Sequence, residues 1–577
     1  MAVLLGGWRL SANAIPAITA GLKPELFSEP GTRAISRRML AAILSVLVIA
    51  GFGFRATGLS NEGLSEDELN KLVAVNDYRA HGLTSANGEH PFLMKAMLAL
   101  SVIAAEKWNA TSVVGNHSEL RLPIETALRL PNVLFGALTA ILIYFLAVEL
   151  FGFEIAILAA ALWSFDPLAI GFNRIAKEDT LLTFFFLLAN VFWVCGQRVA
   201  ETQPQRNPER YYWATAVALG AMMASKYLPQ AIAIPIAYNY TFQAIPATRW
   251  RIGRPRYLKF FIVMGVAFLI LNPTILIPNT WRMMSSFAKF QVLGHDSYEF
   301  MGRLYLHRGI DWFRGQPWYF YFLMMAVKWP LLTLIGFIAG APLLFRRTIG
   351  DGRYLILFWM FIWALTFVAS GGKFTRYFTF VLPAALITAA IGVHFLARWL
   401  ADVFARAFGD ASRIYVRSAI AAAVIMGAVW SCVEAAPHYR LYVNALGGGP
   451  ARAGSYFPQD EFYDAYMRDT LIEVGKRARP NANVVSELPT VAAFYAQQAN
   501  RPDLSCLELS DPKDLDQLTE GDFLIDARGR TYFSNQAMLS RLREAARPAF
   551  TVRTGAIPAA DVYLLDANSL AALRNRK

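Results

Sequence analysis

Three neighbouring carboxylates, Glu66, Asp67 and Glu68, follow Ser65 shortly after the first long apolar run of the chain. An acidic side chain so placed can deprotonate a hydroxyl or hold a cation. The same residues also make an ordinary solvated helix start, with Ser65 as its N-cap. Glu89-His90-Pro91 is ambiguous in the same way: Pro91 can open a helix that Glu89 and His90 cap, and only nearness in sequence to Asp67 points to a shared pocket.

The cations are scattered more widely. Arg174, Lys177, Glu178 and Asp179 fall in a short turn between two apolar runs, a costly place for four ionisable groups unless they pair with one another or face a polar cavity. Lys226 stands at a break between apolar stretches, where an ammonium either wants an anion or snorkels to the interface. Lys373 and Arg376 precede Tyr377 at the start of another apolar run, and a phosphate would account for positive residues there. His295, Asp296, His307 and Asp311 lack zinc-ligand spacing and read as a hydrogen-bonded loop, so no metal is assigned to them. Carboxylates from one loop, with Arg174, Lys177, Lys226 and Arg376 from helix ends at similar depth, would suit a phosphate-bearing lipid. Its tail would stay between helices while its phosphate, neutralised by the cations, departed as a leaving group.

The elements that must position these residues are membrane helices. Of 577 residues, 55% are hydrophobic and 17% charged, which argues against an all-soluble chain. Apolar stretches near 39–54, 130–148, 155–172, 180–196, 211–224, 228–243, 258–278, 319–345, 354–370, 376–396 and 417–434 give about eleven transmembrane helices at about 1.5 Å rise per residue. The run 92–105 is short for a crossing and is expected to lie along the interface. With a cytoplasmic N-terminus, the inside segments hold +11 of the chain's net +13, the densest cluster being Arg249, Arg251, Arg254, Arg256 and Lys259. The excess is therefore a topology signal rather than a nucleic-acid surface. The Glu149/Glu154 loop alone runs against it. Three cysteines cannot build a disulfide framework.

The expected organisation is a cytoplasmic segment 1–38, a transmembrane domain 39–434 with a large first external loop 55–129, and an extracytoplasmic α/β domain 435–577 that starts near Gly447-Gly448-Gly449-Pro450. That last domain mixes a helical stretch, Asp460 to Arg479, with short strand-like runs, and few of its residues mark chemistry.

Several segments, in order, resemble the GT-C superfamily of membrane glycosyltransferases, and within it the protein O-mannosyltransferase and lipid A aminoarabinose transferase families. These are Asp67-Glu68, Glu89-His90-Pro91-Phe92-Leu93-Met94-Lys95, Arg129-Leu130-Pro131, Asn173-Arg174-Ile175-Ala176-Lys177-Glu178-Asp179, Ser225-Lys226-Tyr227, Gly315-Gln316-Pro317-Trp318-Tyr319, Arg376-Tyr377, and Pro437-His438-Tyr439 through Pro450. After Pro450 the chain departs from the pattern, with Phe457-Pro458-Gln459-Asp460-Glu461-Phe462-Tyr463 in place of the relatives' stretch. The resemblance implies Asp67 as base or principal catalytic carboxylate, with Glu68 beside it and Asp179 as a second pocket carboxylate. Glu89, with His90, would orient the acceptor. Lys226 and Arg376, with Arg174 and Lys177, would hold the phosphate of a polyprenyl-phosphate sugar, which is displaced with inversion. Because relatives occur with and without a divalent ion, Mg or Mn stays open. The implied setting is the external face of the inner membrane, with a hydroxyl or phosphate of a protein, lipid A or another envelope glycan as acceptor and no nucleic acid. A multi-pass transporter or lipid flippase for an anionic lipid is the alternative, although no internal repeat is present; a non-catalytic scaffold is a third reading.

Overall fold

Runs of Leu, Ile, Val, Ala and Phe can span a bilayer as helices because a helix bonds all its backbone groups within the segment. In the computed structural model, which describes residues 36–203, 205–243, 254–290 and 292–574, five helices are long and apolar enough to cross a membrane. They are Arg37–Asn61, Ile124–Phe151, Asp179–Ala200, Leu382–Phe408 and Ser412–Ala435. A sixth arises if Phe153–Ser164 and Pro167–Asn173, which meet at 57°, form one bent span. Pro167 lacks the N–H needed to continue the ladder, and the Asp166 carboxylate restarts it by accepting from Ala169 N at 2.7 Å.

The other expected spans are shorter pieces. Glu209–Ser225, Ala233–Gln243, Arg254–Leu271, Phe320–Lys328, Leu331–Gly340 and Arg353–Phe367 are all helical. Breaks at Pro229, Pro273 and Pro330 cut several of the longer apolar runs, so fewer helices than the expected eleven have crossing length. Residues 1–35, most of the expected cytoplasmic segment, lie outside the described residues, as do Arg249 and Arg251 of the basic cluster. The anomalous pair of glutamates has partners across the bundle: Arg198 Nη1 stands 2.5 Å from Glu149, and Arg417 Nη2 stands 2.6 Å from Glu154.

At the opposite end of the bundle, the segment around Glu66–His81 and the C-terminal region share one core. Leu64, Leu69, Leu72 and Val75 pack in the same cluster as Val484, Val491 and Val562, and Leu64 N–H donates to the Tyr495 hydroxyl at 2.5 Å. Burial of each such side chain is worth about 1.5–3 kcal/mol, so the two regions hold each other in place. The helix Glu66–His81 opens with Ser65 and Glu68 in a reciprocal capping box. Phe92–Asn109 lies beside it, outside the set of crossing-length helices.

The C-terminal sheet contains β3 (Asn483–Ser486), β4 (Ser505–Glu508), β5 (Phe523–Ala527), β6 (Phe550–Thr554) and β7 (Ile557–Leu564) in the order β4-β3-β5-β7-β6. β3 runs parallel to β4 and β5, while β7 is antiparallel to β5 and β6. A separate antiparallel hairpin, β1 (Val292–Phe300) and β2 (Arg303–Arg308), leans on the cavity described next. The stretch expected to be helical from Asp460 to Arg479 is broken. It ends at Phe462 and resumes at Met467, with Tyr463 (φ 47°) and Asp464 (φ 61°) left-handed between the pieces.

Candidate active site

The cavity-side ends of the helices surround a space of about 400 Å3. The first turn of Glu66–His81 brings Asp67, the turn before Asp179 brings Lys177 and Glu178, and the break after Ser225 brings Lys226. Arg376 and Tyr377 arrive from the short helix Thr375–Phe380. Glu89 and His90 form another wall.

Asp67 is the hub. Its Oδ1 is 2.8 Å from Lys177 Nζ, its Oδ2 accepts from the Tyr463 hydroxyl at 2.8 Å, and Arg376 Nη2 stands 3.8 Å away. Burial alone would raise this carboxyl, but the Lys177, Arg376 and Lys71 charges together outweigh it and hold Asp67 well below the usual carboxylate range. Lys177 responds in the opposite sense: burial, only partly offset by Asp67, draws its ammonium down to about 8. Glu178 is depressed too, because the ammonium groups of Lys71 (3.1 Å) and Lys177 (3.9 Å) overcome its burial. His90 is pushed down to about 3, chiefly by burial, and is a neutral imidazole at neutral pH.

Arg376 is the least satisfied cation of the group. It is buried, its Nε has no hydrogen-bond partner among the described residues, and its carboxylate neighbours, Asp460 and Asp67, stand 3.6 and 3.8 Å away. A guanidinium shut from water with its donors unspent is a strong attractor for an anion. Lys226 has one carboxylate, Asp179 Oδ1 at 2.5 Å, and lies over the Tyr377 ring at 4.8 Å. Lys226 and Tyr377 also line a second, mostly apolar space of about 300 Å3 with Leu228, Trp312 and Phe367. The two spaces therefore meet at an ammonium.

Three of the sequence-expected residues are spent elsewhere. Glu68 faces away from the cavity: Arg129 binds both its oxygens, at 2.8 and 2.7 Å, and Ala176 N–H donates to it at 2.9 Å. Arg174 points at the end of the first helix, where its Nη atoms donate to the carbonyls of Phe54, Arg55, Thr57 and Gly58 at 2.6–3.2 Å. Four carbonyls leave it little for a phosphate, so its expected ligand role gives way to a framework one. Lys373 is similarly committed, to the carbonyls of Gln316 and Ser370. Glu89 lines the cavity and accepts from Asn87 Nδ2 at 2.6 Å. Asp179 reaches the cavity through Lys226.

Sequence reasoning passed over Lys71, Asp460, Tyr463, Asp464 and Arg530. The C-terminal region, expected to hold little chemistry, supplies four of these five. Asp460 accepts from Tyr298 OH at 2.6 Å and Thr375 N at 2.8 Å and faces Arg376. Asp464 is clamped by Arg530 at 2.5 and 2.9 Å, and accepts from Glu66 N–H at 3.2 Å. The left-handed backbone at Tyr463 and Asp464 costs of the order of 1–3 kcal/mol per residue, and it turns both side chains into the cavity. Lys71 had a signal, one helical turn beyond Asp67. The stretch that departs from the family pattern, 457–463, is the one that reaches the site.

Residues 119–277 match a family model. Its description is dolichyl-phosphate-mannose-protein mannosyltransferase, and over that stretch the chain is similar to these glycosyltransferases. The matched region holds Arg174, Lys177, Asp179 and Lys226 and excludes Asp67, Glu89 and Arg376. Among solved structures, ArnT from Cupriavidus metallidurans in the apo state is 14% identical with a TM-score of 0.49, over 91% of this chain and 97% of that one. The Archaeoglobus fulgidus oligosaccharyltransferase tethered with an acceptor peptide is 9% identical with a TM-score of 0.48, over 85% and 69%. The S. cerevisiae protein O-mannosyltransferase complex bound to the sugar donor is 17% identical with a TM-score of 0.29, over 47% and 36%. No curated protein matches the sequence.

Proposed function

We propose that the chain is an inverting glycosyltransferase that moves a sugar from a polyprenyl-phosphate donor to an acceptor hydroxyl at the external face of the inner membrane. The observation that carries this reading is the under-satisfied Arg376 guanidinium, set opposite Asp67 in a cavity that shares Lys226 and Tyr377 with an apolar groove. Such a pair of spaces matches an amphipathic donor: phosphate against Arg376 and Lys226, isoprenoid in the groove, sugar toward Asp67.

In the step, Asp67 takes the proton of the acceptor hydroxyl as its oxygen bonds to the anomeric carbon. The bond from that carbon to the phosphate oxygen breaks, and its electron pair leaves with polyprenyl phosphate, where Arg376 and Lys226 neutralise it. One in-line displacement inverts the anomeric centre. A carboxylate held far below its usual range is a poor base, and Arg376, one of the cations that depress Asp67, is also one that the donor phosphate would engage. Donor binding therefore raises the basicity of Asp67 when a substrate is present to use it. Glu89, on the cavity wall, would orient the acceptor, and Tyr463, bonded to Asp67 Oδ2, would aim that carboxylate.

The donor set does not favour a divalent ion. Asp67 already shares its oxygens with Lys177 and Tyr463, and among the described residues no group of three His, Cys, Asp or Glu is arranged to hold one. The acceptor in this reading is a protein, lipid A or another envelope glycan. Membranes carrying the chain, given polyprenyl-phosphate sugars labelled in the sugar, should pass the label to an acceptor with inverted linkage. Passage of intact donor across the bilayer without bond cleavage would favour the flippase alternative.

A further inference from the structure

The segment that joins β2 to the helix Phe320–Lys328 turns its apolar side chains outward. Ile310, Trp312, Phe313, Trp318, Tyr319 and Phe322 are exposed, Phe313 at 74% and Trp318 at 62%, values that no packed loop would leave in water without a use. The loop is nevertheless rigidly built. Phe313 N–H donates to Ala369 O at 2.7 Å, Gln316 N–H to Gly371 O at 3.0 Å, the Ser370 hydroxyl to Gly309 O at 2.9 Å, and the Lys373 ammonium to Gln316 O at 2.8 Å. At Gly315 (φ 78°) an added Cβ would stand 2.4 Å from Leu306 O, so only glycine fits there.

Phe313 itself has φ 56°, a conformation that a bulky side chain rarely adopts. The fold thus accepts backbone strain at this position and uses it to present an aromatic ring to the outside. From Trp318 and Tyr319 the chain runs directly into apolar helices whose Phe322, Ile335 and Ile338 are also exposed. Trp312 is shared with the groove that ends at Lys226, and the exposed Arg314 sits between the two aromatic clusters. Trp and Tyr beside an apolar helix end, with a long cationic side chain among them, are the composition of a bilayer interface.

We infer that residues 310–322 form a rigid aromatic ledge seated in the lipid interface on the cavity side of the membrane. There it fixes the level of the headgroups at the mouth of the groove that leads to Lys226; this second clause rests on the groove being the donor's path.

The full chain in liposomes, carrying a nitroxide at Phe313→Cys, tests the ledge by collision with oxygen and with an aqueous nickel chelate, the background of the unsubstituted chain being subtracted. Phe533→Cys on the C-terminal domain and Ile338→Cys on an apolar helix serve as references. The label at 313 should favour oxygen over nickel several-fold, as at 338; nickel access equal to that at 533 would overturn the inference. Collision reads the ledge whether or not sugar is transferred. The second measurement uses Phe313→Gly, which removes the ring and suits the backbone. In liposomes the KM for lipid donor should rise several-fold with kcat unchanged, and in detergent both should stay at wild-type values. An unchanged liposome KM would overturn the headgroup-levelling role.

Discussion

Asp67 and Glu68 are adjacent carboxylates with opposite fates, and Arg376 and Arg174 repeat the contrast among the cations. Glu68 is sealed between Arg129 and the Ala176 amide, and Arg174 spends its guanidinium on four carbonyls at the end of the first helix. Asp67 faces a cavity and shares its oxygens with Lys177 and Tyr463, which line the same cavity, while the Arg376 Nε is unspent. Both sets are buried or half-buried and both are charged, so burial does not separate them. What separates framework from function is whether the hydrogen-bonding capacity is used up within the chain.

The contrast can be broken most severely at the hub. Asp67→Asn keeps shape and hydrogen-bonding reach, and should lower transfer about 10²–10⁴-fold while the protein folds as before. Glu68→Gln should do the reverse: losing the charge opposite Arg129 costs about 3–5 kcal/mol of stability, read in thermal unfolding, while molecules that do fold keep near-normal turnover. If both substitutions cost stability equally, the distinction fails.

A finer test is Tyr463→Phe. Loss of a hydrogen bond to a charged carboxylate, about 1.5–3 kcal/mol, should lower kcat/KM about ten- to a hundredfold with little change in donor affinity. The smallest effect near neutrality concerns Lys177. Burial holds it at about 8, so it is charged below that pH and neutral above it. If its charge supports the donor phosphate, transfer should be flat below pH 8 and fall about tenfold per unit above it, and Lys177→Arg should carry the plateau to higher pH.

The helical character of the expected spans was readable from apolar runs, but the spans 258–278 and 319–345 were carried across Pro273 and Pro330, which break them. Lys226 and Arg376 stood out because charge at the edge of an apolar helix is expensive. Arg174 stood out for the same reason, yet sequence carries no record of which carbonyls a guanidinium meets. Asp460 and Tyr463 gave no local signal: they reach the cavity because a core shared by Leu64, Leu72 and Val484 docks a distant region on the first loop, and because two left-handed residues break an otherwise helical stretch. Long-range packing of that kind has no periodicity to detect.

The central claim, that Arg376 and Lys226 hold a lipid phosphate while Arg174 holds the frame, is tested most directly by titrating the purified chain with polyprenyl phosphate. Arg376→Gln should weaken binding at least tenfold with the unfolding temperature unchanged, and Lys226→Gln should weaken it as much while lowering the unfolding temperature, because Asp179 loses its partner; Arg174→Gln should lower the unfolding temperature and leave the affinity of the folded fraction intact. Wild-type affinity in the Arg376 and Lys226 variants, or selective loss of binding in a stably folded Arg174 variant, would contradict the account.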